Sequence, residues 1–151
     1  AYIVAKPHNM SLKIIEFGSP SYQKMVDLRF QILRHPLGLT FDQADLDKEK
    51  EDILIGFFED EALEGCCILT PDNKTNIRLR QMAVVSGLQG KGIGRMIMNF
   101  AENVARDKGY KVLHMHARKS AAAFYEKLGY QIIGDAFEEV TIPHYEMQKN
   151  L

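Results

Sequence analysis

The spacing of apolar residues along the chain predicts alternating strands and helices. An apolar run at residues 12–17 ends in a Gly-Ser-Pro turn, which predicts a first strand. Residues 21–33 carry apolar side chains at helical spacing, and we expect a helix that Ser21 caps and that Pro36 and Gly38 end. Acidic and basic residues alternate over residues 42–51, which predicts a short solvated helix or a lid.

The rest of the chain continues this alternation around a glycine-rich segment. The runs DILIGFFED and EALEGCCILT meet at an acidic turn and predict a hairpin, and residues 77–85 predict the next strand. From Ile93 to Val104 apolar residues recur at helical spacing, with Gly109 as the C-terminal cap. The segments KVLHMHA, SAAAFYEKLG, YQIIG and TIPHYEMQK then predict a strand, a short helix and two late strands. This order indicates an α/β fold with a mixed sheet and helices on both faces.

Composition narrows the class of protein. A chain of 151 residues with 46% apolar content has the size of one domain. Its net charge of −1, from 19 basic and 20 acidic residues, provides no global field for nucleic acid or an anionic membrane. The adjacent Cys66 and Cys67 have no partners at the spacing of a disulfide framework or a metal site. We therefore expect a cytoplasmic protein with no metal, nucleic-acid or membrane partner.

The segment AVVSGLQGKGIGRMIMNF, residues 83–100, contains four glycines within eight residues between a predicted strand and a predicted helix. Such a turn presents free backbone N–H groups and the positive end of the helix dipole to one point, where phosphate binds well. The flanking region agrees, because residues 73–101 contain no Asp or Glu. Their basic residues are Lys74, Arg78, Arg80, Lys91 and Arg95. The segment therefore predicts a local anion site.

Two well-known phosphate loops do not match this segment. A Walker loop places Ser or Thr after Gly-Lys, whereas here Gly92 is followed by Ile93. The dinucleotide fingerprint needs a third glycine where Arg95 and Met96 stand, and the next strand ends in HAR instead of an acid. An ordinary tight turn is the structural alternative, although it requires neither so many glycines nor an acid-free flank.

The pattern Gln89-x-x-Gly92-x-Gly94 resembles the acyl-CoA loop of the GNAT superfamily of N-acetyltransferases. The resemblance extends over residues 77–148, through RQMAVVSGLQGKGIGRMIM, AAAFYEKLGY and the closing IPHYEM, which is similar to small bacterial ElaA-like members. It implies one domain over residues 10–151, built on a mixed, mostly antiparallel sheet of six to seven strands. Residues 1–9 precede Met10 and are expected to be an N-terminal extension or residues foreign to the natural chain.

The resemblance also implies acetyl-CoA as cosubstrate and a set of residues that hold it. Backbone amides of residues 89–94 would bind the pyrophosphate, and the pantetheine arm would pair with the fourth strand where two parallel strands splay apart. The implied cofactor-binding residues are Met82, Ala83, Val84, Gln89, Gly90, Lys91, Gly92, Ile93, Gly94, Arg95, Phe124 and Lys127.

Acetyl transfer needs a proton for the departing thiolate, and Tyr125 stands where many family members place a tyrosine for that purpose. The alternative interpretation is that Tyr125 only packs against its neighbours. We expect the Phe124–Leu128 pair, four residues apart, to face the core and Tyr125, roughly 100° away on the helix, to face the cleft.

The identity of the general base stays open, because the strand on which many members carry a glutamate has Arg80, Gln81 and Met82 here. His116, which shares a strand face with His114, is a candidate, and so is His144 in IPHYEM. The alternative for each of these two histidines is a structural role, with its ring nitrogens hydrogen-bonded within the protein.

Arg29 and Arg34, in RFQILRHPLG, are candidates for binding an acidic acceptor, unless they are simply solvated helix arginines. A cysteine nucleophile is disfavoured. The leading hypothesis is an acetyl-CoA-dependent N-acetyltransferase that transfers the acetyl group directly to a primary amine of a small molecule or peptide. The alternative is a non-catalytic acyl-CoA-binding sensor. The oligomeric state stays open, and a homodimer is one possibility.

Overall fold

A seven-stranded mixed sheet organises the part of the chain that the structure, a computed structural model, describes, residues 9–151. The strands are β1 (Met10–Ile15), β2 (Ile53–Glu59), β3 (Ala62–Pro71), β4 (Asn76–Val84), β5 (Val112–Arg118), β6 (Gln131–Glu139) and β7 (Ile142–Asn150). Their spatial order is β1-β2-β3-β4-β5-β7-β6, and all neighbours are antiparallel except β4 and β5. The predicted fold class is confirmed. Residues 1–8 of the predicted N-terminal extension lie outside the described residues.

Four α-helices accompany the sheet: α1 (Pro20–Arg29), α2 (Gln43–Asp47), α3 (Ile93–Asp107) and α4 (Ala122–Lys127). The prediction that Ser21 caps the first helix is wrong. Ser19 is the cap, and its Oγ accepts a hydrogen bond of 3.2 Å from the Tyr22 amide. The reason is Pro20, which lacks an N–H and fits the first helical position. A π-helical turn (Phe30–Arg34) and a 3₁₀ turn (His35–Leu37) prolong α1 to Gly38. None of the helices in the described range is long and apolar enough to cross a membrane.

The sheet separates two hydrophobic cores. One lies under α3 and α4, and includes Ile97, Met98 and Tyr125 together with side chains of the central strands. The other lies under α1 and includes Met25, Leu54 and Ile68. On β4 and β5 the residues in the first core are Ile77, Leu79, Leu113, Met115 and Ala117. Because side chains alternate along a strand, those between them point to the α1 face: Arg78, Arg80, His114, His116 and Arg118.

β4 and β5 diverge partway along their length. Their pairing runs from Asn76↔Val112 to Leu79↔Met115, although both strands continue beyond it. Just past the last pair, Gln81 adopts a φ of +57°, and the register between β3 and β4 shifts there. A non-glycine residue in this conformation marks a bulge that bends the strand. The two parallel strands therefore open a cleft at the centre of the sheet.

The segment 42–51 is a short and mostly exposed helical segment, in line with the expected short solvated helix. It forms α2 and a 3₁₀ turn (Lys48–Glu51), and most of its side chains are exposed. Glu49 is the exception, with 4% of its surface exposed. Its partner is Arg29 of α1, so this segment is anchored to the helix instead of being free.

Candidate active site

A cavity of about 1130 Å³ opens where β4 and β5 diverge. Its walls come from β4, the glycine loop, β5, α4 and the turns that follow α1. Of the predicted cofactor-binding residues, those lining it are Met82, Ala83, Val84, Gln89, Gly90, Gly92, Gly94, Arg95, Phe124 and Lys127. Lys91 is exposed outside the lining, and the Ile93 side chain is buried in the core beneath α3. Only the backbone of Ile93 is therefore available to a ligand.

The glycine loop has the backbone geometry of an anion site. Gly87, Gly90 and Gly92 have φ values of +86°, +80° and +86°, which other residues adopt only with strain. Gly92 caps α3, and the first helical bond there runs from the Met96 amide to the Gly92 carbonyl at 3.1 Å. The amides of residues 93–95 consequently have no acceptor within the helix.

Free space lies in front of these amides. A methyl group placed on Gly90 or Gly92 would meet no atom within 4 Å, whereas one on Gly94 would lie 3.2 Å from the Phe124 ring. The Gln89 amide nitrogen folds back to donate to the Val84 carbonyl at 3.2 Å, which ties the loop to the end of β4. Open space, free amides and an acid-free flank fit a pyrophosphate.

Tyr125 lies at the boundary between the core and the cavity. It is 6% exposed, packs edge-on against Phe124 and Tyr130, and also lines the cavity. Burial is the main cause that raises the pKa of its hydroxyl, and the neighbouring Cys67 thiol adds to it. Tyr125 therefore keeps its proton at neutral pH.

The expectation that the Phe124–Leu128 pair faces the core is wrong for Phe124, which is 37% exposed. α4 buries Ala122 and Tyr125 instead, three residues apart on the same helix face. In this orientation the Phe124 ring lies beside Gly94 at the start of α3.

Two histidines and a glutamate meet on the opposite wall. His116 Nδ1 lies 3.1 Å from Glu139 Oε1 and also 3.1 Å from Arg78 Nη2. His144 is 5% exposed, its Nδ1 donates to the Ile142 carbonyl at 2.7 Å, and its Nε2 lies 3.7 Å from Glu139 Oε2. Both predicted histidines thus line the cavity, joined by one carboxylate.

The contacts of His116 limit where its proton lies. One ring nitrogen cannot accept a hydrogen bond from Arg78 and donate one to Glu139 at the same time. When Nδ1 carries the proton and donates to Glu139, Nε2 presents a free lone pair. When Nδ1 instead accepts from Arg78, which can only donate, the proton lies on Nε2.

Glu139 was missed at the sequence level. It ends β6, 23 residues beyond His116, and only the β6–β7 hairpin and the sheet order bring it to β5. The hairpin signal was weak, because Val140 and Thr141 form its turn at φ values of +47° and +64° without a glycine.

Arg34 lines this cavity, whereas Arg29 lies outside its lining and is engaged by a partner within the protein, which argues against the direct acceptor contact expected of Arg29. Arg29 is 0% exposed, and its two terminal nitrogens bind the two oxygens of Glu49 at 2.8 and 2.7 Å. Its charge is therefore already neutralised within the protein. Neither the functional nor the solvated interpretation of Arg29 foresaw this pair.

The two cysteines are buried, one in each core. Burial raises the pKa of Cys66 to about 12, and it raises that of Cys67 well above the ordinary value. Both thiols stay protonated at neutral pH, which makes them poor nucleophiles.

Comparison with known proteins agrees with this geometry. The family described as "Acetyltransferase (GNAT) domain" matches residues 49–132. The uncharacterized protein YyaT of Bacillus subtilis is 34% identical over 74 residues, which are 49% of this chain and 50% of YyaT. The match thus spans about half the length of that curated relative.

Solved structures match over nearly the whole chain. An aminoglycoside 6'-N-acetyltransferase complexed with coenzyme A superimposes with a TM-score of 0.80 at 17% identity, over 93% of this chain and 96% of its own. Escherichia coli ElaA gives a TM-score of 0.78 at 17% identity, over 93% and 99% of the two chains. At this identity the likeness concerns the fold.

Proposed function

Because the chain belongs to the GNAT acetyltransferase family, we propose that it transfers the acetyl group of acetyl-CoA to a primary amine of a small molecule or peptide. The observation that carries the proposal is the glycine loop at the start of α3, whose free amides open onto the cavity between β4 and β5. The complex of the aminoglycoside 6'-N-acetyltransferase with coenzyme A supports this choice of ligand.

The residues present fit coenzyme A. The amides around Gly92 and the N-terminus of α3 hold the pyrophosphate, with Arg95 and Lys127 adding positive charge at the cavity wall. Met82, Ala83 and Val84 of β4 line the cleft where β5 no longer pairs with β4, which leaves room for the pantetheine arm. Acetyl-CoA supplies an acetyl thioester, and its transfer forms a C–N bond, breaks the C–S bond and releases a thiolate.

Tyr125 protonates that thiolate. Its raised pKa keeps the hydroxyl protonated, and no group in the described range forms a hydrogen bond with it. A backbone N–H of β4, at Ala83 or Val84, stabilises the negative charge that develops on the carbonyl oxygen.

His116 accepts the proton that the amine loses. Its Nε2 is the basic atom when Nδ1 donates to Glu139, and the family's more usual strand glutamate is missing from positions 80–82 of β4. His144 is held by the Ile142 carbonyl and contributes to the same cluster. We assign the removal of the amine proton to His116. His144 has the supporting role of holding the Glu139 carboxylate in position.

The absent strand carboxylate also favours a second candidate, a non-catalytic sensor that binds acyl-CoA without turning it over. A screen of primary amines separates the two functions. The protein is incubated with acetyl-CoA and each amine, and free thiol is measured against a no-amine control. Thiol release that depends on an amine, with N-acetylated product found by mass spectrometry, supports the enzyme. Tight binding of acetyl-CoA without release for any amine supports the sensor.

Three further properties belong to this proposal. Residues 10–151 form a single acetyltransferase domain, and it works in the cytoplasm. A homodimer is compatible with both candidate functions.

A further inference from the structure

The cavity carries more positive charge than phosphate binding at the glycine loop requires. Besides Arg95 and Lys127, its lining includes Arg34, Arg78, Arg80 and Arg118, while its only carboxylate among the described residues is Glu139. Arg78 and Arg80 lie in the first half of β4, whereas the loop follows the end of that strand. They also point to the α1 face of the sheet, away from α3. These arginines therefore require another explanation.

A second cavity of about 320 Å³ adjoins the first on this face, and we call it the side chamber. Arg34, Arg80 and Gln81 line both cavities and therefore form the boundary between them. The remaining walls of the side chamber come from Arg29, Phe41, Asp45, Lys48 and Glu49.

Most charges around the side chamber are already paired. Arg29 binds Glu49 at 2.7 Å, and Lys48 lies 3.4 Å from Asp45. These pairs need no ligand.

Arg34 and Arg80 are different. The guanidinium of Arg34 lies 4.7 Å from the centre of the Phe41 ring and has no carboxylate partner within residues 9–151. Nη1 of Arg80 forms a long ion pair with Asp52 Oδ2 at 3.8 Å and donates to Thr70 Oγ1 at 3.4 Å. Of the two arginines shared by both cavities, Arg34 thus lacks a carboxylate partner within residues 9–151, and Arg80 has a long contact with one, so both can still bind an anion.

Gln81 adds an unused acceptor beside them. Its Oε1 is buried and has no hydrogen-bond partner, which is uncommon for a buried polar atom. The φ of +57° that places this side chain is itself unfavourable, and such strain gathers at functional sites. An N–H donor from a ligand would satisfy the oxygen.

We propose that the acceptor is an amine that also carries a carboxylate, an inference that rests on the acetyltransferase function above. Arg34 and Arg80 bind the carboxylate at the side chamber, and the amine N–H donates to Gln81 Oε1 at the entrance to the main cavity. The carboxylates of Asp45 and Glu49 on the same walls favour a singly charged carboxylate over a doubly charged phosphate.

The test compares amines that carry a carboxylate with the matching amines that carry an uncharged carboxamide. Glycine, β-alanine, 4-aminobutyrate and 5-aminopentanoate are each paired with their own carboxamide. Binding to the CoA-loaded protein is measured by calorimetry, and turnover of acetyl-CoA by thiol release. For at least one length we expect the carboxylate to bind roughly 10- to 100-fold more tightly than the carboxamide, the range for hydrogen bonds to charged groups.

Variants identify the residues responsible. Arg34→Gln and Arg80→Gln should each reduce this preference to a few-fold, and Arg80→Lys should restore part of it. Gln81→Met should weaken both members of a pair equally, because it acts on the shared amine. Arg106→Gln is the matched control, since Arg106 lies on α3, pairs with Glu102 at 3.3 Å and lines neither cavity.

The calorimetric comparison decides the acceptor class even without turnover. Equal binding of carboxylates and carboxamides at every length would overturn the inference, and so would a preference that survives both arginine substitutions. In either case amine-dependent thiol release would leave the acetyltransferase proposal standing. Conversely, carboxylate-selective binding without thiol release would support the inference and count against catalysis.

Discussion

At the scale of single residues, Tyr125 and His116 face opposite requirements. In the proposed reaction Tyr125 keeps its proton until the thiolate forms, and its burial between the core and the cavity favours the protonated hydroxyl. In the same proposal His116 presents a free Nε2, which requires that its Nδ1 donate to the neighbouring carboxylate of Glu139. The two side chains come from different walls of one cavity.

Replacing Tyr125 with Phe should reduce kcat by roughly 10²–10⁴ and change KM less, the effect of losing a general acid. Acetyl-CoA should still bind with near-normal affinity, because the ring and its packing remain. Steady-state kinetics and calorimetry measure the two effects. Tyr110→Phe is the control, because Tyr110 packs on the same core without lining the cavity. Full activity of Tyr125→Phe would show that solvent or another group protonates the thiolate.

Replacing His116 with Gln should reduce kcat by a similar factor of roughly 10²–10⁴, since the base is lost while a polar side chain of comparable size remains. His35→Gln should change little, because His35 is exposed and lies outside the cavity lining. The rates are compared at saturating acetyl-CoA. If the His116→Gln variant is as active as the wild type and the His144→Gln variant is inactive, His144 and not His116 is the general base.

At the scale of elements, the Arg29–Glu49 pair joins α1 to the turn after α2. Glu49 also accepts a hydrogen bond of 2.7 Å from the Tyr22 hydroxyl, so two side chains of α1 share one buried carboxylate. Burial is the largest of the causes that raise the pKa of Tyr22, which therefore donates as a neutral hydroxyl. This junction holds one wall of the side chamber in place.

Glu49→Gln should lower the free energy of unfolding by about 3–5 kcal/mol, because Arg29 would be left buried with an unpaired charge. Urea denaturation measures the change. Glu51→Gln, an exposed position in the same 3₁₀ turn, should stay within about 0.5 kcal/mol of the wild type. The double variant Arg29→Met, Glu49→Leu should recover most of the loss. A Glu49→Gln protein of unchanged stability would contradict the buried charge.

The glycine loop is the other element with a distinct function. Gly92→Asp should abolish binding of acetyl-CoA, because it adds a side chain and a negative charge in front of the α3 amides. Gly18→Asp is the matched control: Gly18 has a similar φ of +78°, open space around it, and no part in the cavity lining. Circular dichroism should show both variants folded. Retained affinity in folded Gly92→Asp would place the pyrophosphate elsewhere.

At the scale of the whole molecule, the cavity lies between two cores that pack independently on the two faces of the sheet. Its walls come from strands, helices and turns distributed from residue 32 to residue 144. A ligand that fills it contacts much of the fold, and binding to the native state alone stabilises that state by mass action.

Acetyl-CoA at about 100 times its Kd should add about 2.7 kcal/mol to the free energy of unfolding. For a domain of this size the gain corresponds to a rise in Tm of roughly 5–10 °C. ATP and NAD should raise Tm far less, because the loop matches neither of their usual binding patterns. Differential scanning calorimetry makes the comparison. Equal stabilisation by all three ligands would contradict acyl-CoA selectivity.

The sequence by itself determined the local elements and the loop chemistry. The apolar spacing of α3, the β2–β3 hairpin and the glycines before α3 are patterns within one short segment, where backbone geometry and propensity dominate. Tyr125, His116 and His144 were identified as candidates from their segments, and all three line the cavity.

Tertiary structure alone decided which distant groups meet. Glu139 reaches His116 only through the order of β5, β7 and β6, and Glu49 removes Arg29 from the set of available cations only because α1 packs beside its turn. The orientation of α4, which buries Tyr125 and leaves Phe124 exposed beside Gly94, is likewise a property of the packed structure. Such pairings depend on packing between segments far apart in the chain, and no local periodicity encodes which partner a buried charge will find.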